Sequence, residues 1–242
     1  PRKKISNLYF ATMTSYEKNL PAKTLFPPIS LKNGLAEVVA RHGLAQLRIA
    51  ETDKYAHVTY FFNLGEEKSF PEEERILIPS LDIGNIIKEP RMRADEITAK
   101  LIEEMRRGLY HLIVVNFANA DMLGHTGDLE AMIRAIEALD SNIKKIMDEI
   151  LQEDIALIIT SDHGNSEDKI DAATGEAKTE HSANNVPVYL VGKEFRSVKN
   201  NLKRGEFETI GFLSDIAPTI LEIMKIPKPK EMTGISLLGR LK

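Results

Sequence analysis

The stretch "HLIVVNFANADMLGHTGD", residues 111–128, decides the fold. Its first half is short and almost continuously apolar, the signature of a strand covered on both faces, and such strands belong to parallel sheets. Its second half turns polar at once and sets Asp121 and His125 four residues apart in a glycine-containing loop. A long segment follows, "GDLEAMIRAIEALDSNIKKIMDEIL", in which Met132, Ile133, Ile136, Leu139, Ile143, Ile146, Met147 and Ile150 fall at helical spacing. Strand, polar loop and helix in that order make the repeating unit of an α/β protein.

The same unit recurs on either side. Upstream, "LAQLRIA" and "ERILIPS" read as strands, and "RADEITAKLIEEMRRG" as a helix with Ile97, Leu101, Ile102 and Met105 on one face. Before them, Ser30 is expected to cap a helix in "LKNGLAEVVARHG", which Gly43 ends. Downstream, "IALIIT" and "NVPVYLVG" are strands, and "LSDIAPTILEIMKI" is a helix that tolerates Pro218 in its first turn. The predicted fold is a doubly wound, mainly parallel sheet with helices on both faces. At the start, the strand-like "NLYFATMTSY" precedes the proline-rich "EKNLPAKTLFPPIS", so a boundary is expected near residue 28, with residues 29–242 forming the main domain.

Composition narrows the partners. A chain of 242 residues, 43% hydrophobic, buries a sizeable core. The net charge of -4, with acids and bases interspersed, argues against nucleic acid and against an anionic membrane surface. No apolar run approaches the roughly 18 residues of a membrane span, and the basic start is too polar for a signal peptide. The absence of cysteine removes disulfides, thiolate nucleophiles and cysteine-based zinc sites, and fits a cytoplasmic protein.

Ligands of open α/β sheets sit beyond the carboxyl ends of the strands. There the sequence gathers Asp121 and His125 after one strand, Asp162 and His163 of "SDHGN" after another, and His181 of "TEHSAN" just before a third. Each is common alone, as a cap or a surface residue; together they are the donors of a hard or borderline divalent cation such as manganese, zinc or magnesium. Five donors suit two adjacent metals, a device that clamps the attacking and leaving oxygens of a phosphoryl group. Gly124 and Gly164 are expected to give the tight turns that aim these side chains. Lys54 follows a strand by a few residues and offers a compact cation for a phosphate or a leaving oxygen. His42 and His111 read as structural, and His57 stays open.

The segments "YFATMTSY", "QLRIAETDKYAHVTYFFN", "RILIPS", "NFANADMLGHTGD", "SDHGN", "EHSANNVPVYLVG", "DIAPTILEIM" and "EMTGISLL" resemble the carboxyl-terminal portion of cofactor-independent phosphoglycerate mutases. The resemblance implies an alkaline-phosphatase-like domain, incomplete at its amino end, with residues 1–28 as the last strand and linker of an inserted transferase domain. It implies an isomerase of glycolysis that interconverts 3-phosphoglycerate and 2-phosphoglycerate through a phosphoserine. Two divalent metals are implied, Mn2+ first, with Mg2+, Zn2+ or Co2+ as alternatives. Asp121, His125 and His181 would hold one and Asp162 and His163 the other, while Lys54 would contact the phosphoryl group. The nucleophilic serine, a further aspartate ligand and the substrate-binding arginines belong to the amino-terminal portion, so that portion is the expected partner and the isolated chain is expected to be inactive. Ser166, inside "DHGNSE", reads as a small loop residue and not as a substitute nucleophile. A related metal-dependent phosphohydrolase or phosphomutase, and a non-catalytic metal-binding domain, are the alternatives.

Overall fold

The computed structural model describes residues 5–17, 19–27, 29–82, 84, 86–195 and 208–241. The chain divides into two units, Pro1–Lys32 and Asn33–Lys242. In the first, β1 (Ala11–Thr12) pairs in parallel with β2 (Lys23–Thr24). The strand expected along "NLYFATMTSY" is therefore only two residues long, because a two-stranded ribbon without a packed face has little to extend it.

In the second unit, α1 (Leu35–Arg41) starts at the cap Gly34 and not at Ser30. Asn33 adopts φ 61°, a left-handed conformation that no helix can run through. Three parallel strands follow, β3 (Gln46–Glu51), β4 (Glu73–Ile78) and β5 (Leu112–Asn116), in the spatial order β4-β3-β5. Their crossovers are helical: α2 (Thr52–Val58) leaves β3, and α3 (Ala94–Arg107) joins β4 to β5. Gly108, at φ 64°, closes α3 in the left-handed cap that favours glycine.

The period of two along the strands puts helices on both faces. Leu47 and Ile49 of β3, with Ile113 and Val115 of β5, pack on Ile97 and Leu101 of α3 and on Ile146 and Ile150 of α5 (Leu129–Ile150). Leu112 and Val114 point the other way, to Leu35, Val38 and Val39 of α1 and Leu221 of α6 (Ile216–Ile223). Complete burial of Leu47 or Ile49 contributes about 1.5–3 kcal/mol each. On the α1 side, Gln46 Nε2 donates to the Ala36 carbonyl at 2.9 Å, and Arg48 donates to Gln46 Oε1 at 2.6 Å. The Arg48 guanidinium also lies 4.6 Å from the Phe62 ring centroid, and burial pushes its pKa down to about 10.

Two expectations change. In α5, Ile133 and Ile136 are 49% and 41% exposed. The buried face keeps the expected Met132, Ile146 and Ile150 and adds Ala131, Ala135 and Ala138; Ala131, Met132 and Ala135 pack with Leu123 of α4 (Asn119–Gly124). Asp128 caps α5, accepting from the Ala131 amide at 2.8 Å. Second, β6 (Leu157–Thr160) and β7 (Val188–Val191) pair antiparallel and form their own sheet. No helix lies between them to make the crossover that a parallel pairing needs. The connecting loop folds on itself through bridges Gly164–Ser182 and Ile170–Ala177. Among the described residues, no strand pairs with the outer edge of β5 or of β6, and no helix is long and apolar enough to cross a membrane.

Candidate metal centre

The predicted site residues occupy the carboxyl ends of β3, β5 and β6 and the entry to β7. Lys54 stands in the first turn of α2, directly after β3. Asp121 and His125 do not lie in a loop: Asp121 belongs to α4 and His125 is its C-cap. Their spacing is thus the i, i+4 spacing that sets two side chains side by side on one helical face. Asp162 and His163 follow β6, and His181 lies on the returning arm of the same loop, before β7.

Asp121 is the hub. Its Oδ1 lies 3.0 Å from His181 Nε2 and 3.1 Å from His125 Nε2, and those two ring nitrogens are 3.1 Å apart. His163 Nε2 is 3.8 Å from the same oxygen, and Asp121, His163 and His181 offer ligand atoms within 4.8 Å of one another. His125 Nδ1 sits 2.7 Å from the Thr179 carbonyl oxygen, which can only accept, so Nδ1 donates there and Nε2 is the nitrogen turned towards Asp121. One carboxylate oxygen with two imidazole nitrogens at 3.0 and 3.1 Å is the mixed oxygen and nitrogen donor set that suits a divalent cation. The donor set therefore fits a divalent metal.

Lys54 completes the hub from the other side, its ammonium donating to Asp121 Oδ2. Burial alone would raise the Asp121 pKa, but the bonds from Lys54 and Asn165 outweigh it and hold the carboxyl well below its usual range. Asp162 stands further out: its side chain is 61% exposed, with Oδ1 3.6 Å from His163 Nε2. His57 packs edge-on against Phe61; burial and the Lys54 charge lower its pKa, while Asp162 and Asp121 act in the opposite sense.

Several supporting residues were not named as site residues from the sequence, although Asn165, Ser182 and Asn184 lie inside "SDHGN" and "EHSANN". Asn165 donates from Nδ2 to Asp121 Oδ1 at 2.8 Å, and its Oδ1 accepts from the buried Lys169 ammonium. Glu167 accepts from the Asn165 amide at 2.8 Å, from Asn184 Nδ2 at 3.0 Å and from the Ser182 hydroxyl, tying the "DHGN" segment to "HSAN". Ser166 donates to the Ala120 carbonyl at 3.2 Å. Lys169 has no distinguishing signal in the sequence, being one of two lysines, with Lys178, in an acid-rich loop.

Gly124 and Gly164 act differently from the expectation, since neither has a left-handed φ. A Cβ on Gly124 would lie 2.6 Å from Asn165 Cγ, and one on Gly164 would lie 2.6 Å from Glu167 Oε1. Both glycines permit close approach, not a turn.

The family described as the metalloenzyme superfamily matches residues 2–228. The chain is 48% identical over 238 residues to 2,3-bisphosphoglycerate-independent phosphoglycerate mutase 2 of Methanosarcina barkeri, covering 98% of this chain and 43% of that protein. It is 44% identical to the 2,3-bisphosphoglycerate-independent phosphoglycerate mutase of Acaryochloris marina, covering 98% of this chain and 44% of that one. A crystal structure of Leishmania mexicana phosphoglycerate mutase, obtained at low cobalt concentration, superposes with a TM-score of 0.76 at 31% identity, over 93% of this chain and 43% of that one. The chain thus spans less than half the length of these relatives. A parallel α/β sheet with a histidine and aspartate cluster at its carboxyl edge, matched by one family description along nearly all of its length, places the chain in the metalloenzyme superfamily.

Proposed function

We propose that the chain is the metal-binding portion of a 2,3-bisphosphoglycerate-independent phosphoglycerate mutase, a glycolytic isomerase that interconverts 3-phosphoglycerate and 2-phosphoglycerate in the cytoplasm. The observation that carries this reading is the convergence of Lys54, His125, His163 and His181 on the Asp121 carboxylate, at the sheet edge where such folds bind ligands. The identity of 48% and 44% to two such mutases supports it.

In this reading Asp121, His125 and His181 hold one divalent cation, while Asp162 and His163 serve a second, with Mn2+ the leading candidate. When bound, the two ions supply Lewis acidity to the oxygens of a phosphoryl group. The Lys54 ammonium, beside Asp121, offsets negative charge on the phosphoryl or leaving oxygen. Asp121 orients that ammonium, and the Thr179 carbonyl accepts from His125 Nδ1.

The serine that takes up the phosphoryl group and the arginines that retain the glycerate belong, in this proposal, to an amino-terminal portion of a longer enzyme. Coverage of only 43% and 44% of the relatives supports that portion, as do the free outer edges of β5 and β6 among the described residues. Residues 1–28 then belong to an inserted domain and its linker, and residues 29–242 to the phosphatase-like domain.

The test measures 3- to 2-phosphoglycerate conversion by the chain alone and by the chain joined to the amino-terminal portion of a mutase relative. Activity is expected only in the joined protein, lost on chelation and restored by Mn2+. Conversion that is indifferent to chelation would sink the metal mechanism, and conversion by the chain alone would overturn the division of labour.

A further inference from the structure

Asn165 is 5% exposed and lies between two charges of opposite sign. A carboxamide has a donor end and an acceptor end, so its neighbours decide which end faces where. The Lys169 ammonium has only donors, and it meets Asn165 Oδ1. The NH2 end is thereby turned to Asp121, donating to Oδ1 at 2.8 Å and more weakly to the backbone carbonyl at 3.4 Å.

Lys169 is itself fixed. It is 9% exposed, and its ammonium also donates to the Gly124 carbonyl at 3.1 Å, at the carboxyl end of α4, where a cation is favoured by the helix dipole. With Lys54 on Oδ2 and Asn165 on Oδ1, the Asp121 carboxylate is held at both oxygens before any cation arrives. Outer-shell bonds of this kind set the direction and basicity of a ligand.

We propose that Lys169 is a positioning residue of the metal centre: acting through the Asn165 carboxamide, it orients the Asp121 carboxylate for cation binding. This rests on the metal reading given above. It makes a prediction opposite in sign to simple electrostatics. Removing a positive charge near a cation site should tighten binding, whereas loss of the relay should weaken it.

The test titrates Mn2+ alone into the chelator-stripped chain by calorimetry, for wild type, Lys169→Met, Lys169→Arg, Asn165→Leu and the double variant Asn165→Leu/Lys169→Met. Lys169→Met should weaken Mn2+ binding by about 10–100-fold, the range for loss of an outer-shell partner. Lys169→Arg, which keeps a cationic donor, should recover most of that loss. In the Asn165→Leu background, Lys169→Met should cost nothing further, because the two act in series. Unchanged or tighter binding in Lys169→Met, or full additivity in the double variant, overturns the relay.

If Lys169→Met loses the wild-type melting transition, the metal-free wild-type protein decides by NMR. The Asn165 side-chain amide pair must then be shifted and protected from exchange, and an averaged, rapidly exchanging pair overturns the proposal. Failure of the wild-type chain itself to bind Mn2+ would instead refute the metal reading on which the relay stands.

Discussion

His163 and His181 stack with ring centroids 3.7 Å apart and planes inclined by 19°. The contact joins the two arms of the loop between β6 and β7 at the point where both rings turn Nε2 to Asp121. His181→Ala removes the nearer nitrogen and the stack together. Because the His181 side chain is 47% exposed, metal-free stability should change by no more than about 0.5 kcal/mol. Mn2+ affinity should fall by at least about tenfold, the lower limit for an outer-shell loss. Calorimetric titration beside a denaturation curve separates the two effects.

Gly124→Ala sets two tendencies against each other. In a helix, alanine is favoured over glycine by about 1 kcal/mol. Here the new methyl would lie 2.6 Å from Asn165 Cγ, and Asn165 is anchored on its far side by Lys169. The clash should win, with a net destabilisation of about 1–3 kcal/mol in urea and weaker Mn2+ binding. A more stable variant would mean that α4 and the "DHGN" segment do not approach as closely as described.

Glu167 gives the loop a pH dependence. Burial would raise its pKa, but hydrogen bonds from the Ser182 hydroxyl, from backbone amides and from Asn184 outweigh this and bring it down to about 2. A depressed carboxyl contributes stability that is present above its unfolded pKa and lost as pH falls through the folded one. The link between "DHGN" and "HSAN" should therefore hold at neutral pH and be lost progressively from about pH 4.5 towards 2. Melting temperatures across that window should fall more steeply for wild type than for Glu167→Gln, and parallel curves would rule out this role.

The core supplies a contrast between two aliphatic residues. Leu47→Ala, at a fully buried position in the central strand, should cost about 2–5 kcal/mol with no change in denaturant slope. Ile133→Gln should stay within about 0.5 kcal/mol, since 49% of that side chain already meets solvent.

Those two residues also mark what was legible in the sequence. The apolar run at 112–115 was readable as a doubly covered strand because its two faces meet different helices, Ile113 and Val115 on one side and Leu112 and Val114 on the other. Helical spacing in α5 was equally plain, yet spacing alone could not tell that Ile133 lies beyond the buried sector and Ala135 within it. The pairing of β6 with β7 depended on the missing crossover, which a list of strands does not weigh. At the cluster, the histidines and aspartates stood out by residue type. The helical setting of Asp121 and His125 did not, since α4 has only six residues and carries no side-chain cap. Asn165 and Lys169 were hidden because their importance lies in which ends of one amide they face.

The bridge between Ile170 and Ala177 divides the long loop into an inner part, with His163 and His181, and an outer tip. The tip is organised locally: the Asp171 carboxylate accepts from the amides of Ala173 and Thr174, each at 2.9 Å, and the chain reverses at Gly175 with φ 74°. Its side chains from Ala172 to Ala177 are exposed. The protein thus comes with a natural attachment point. A fluorophore on an Ala173→Cys variant, in a chain with no other cysteine, would be carried on the outer side of the bridge, away from the imidazole stack.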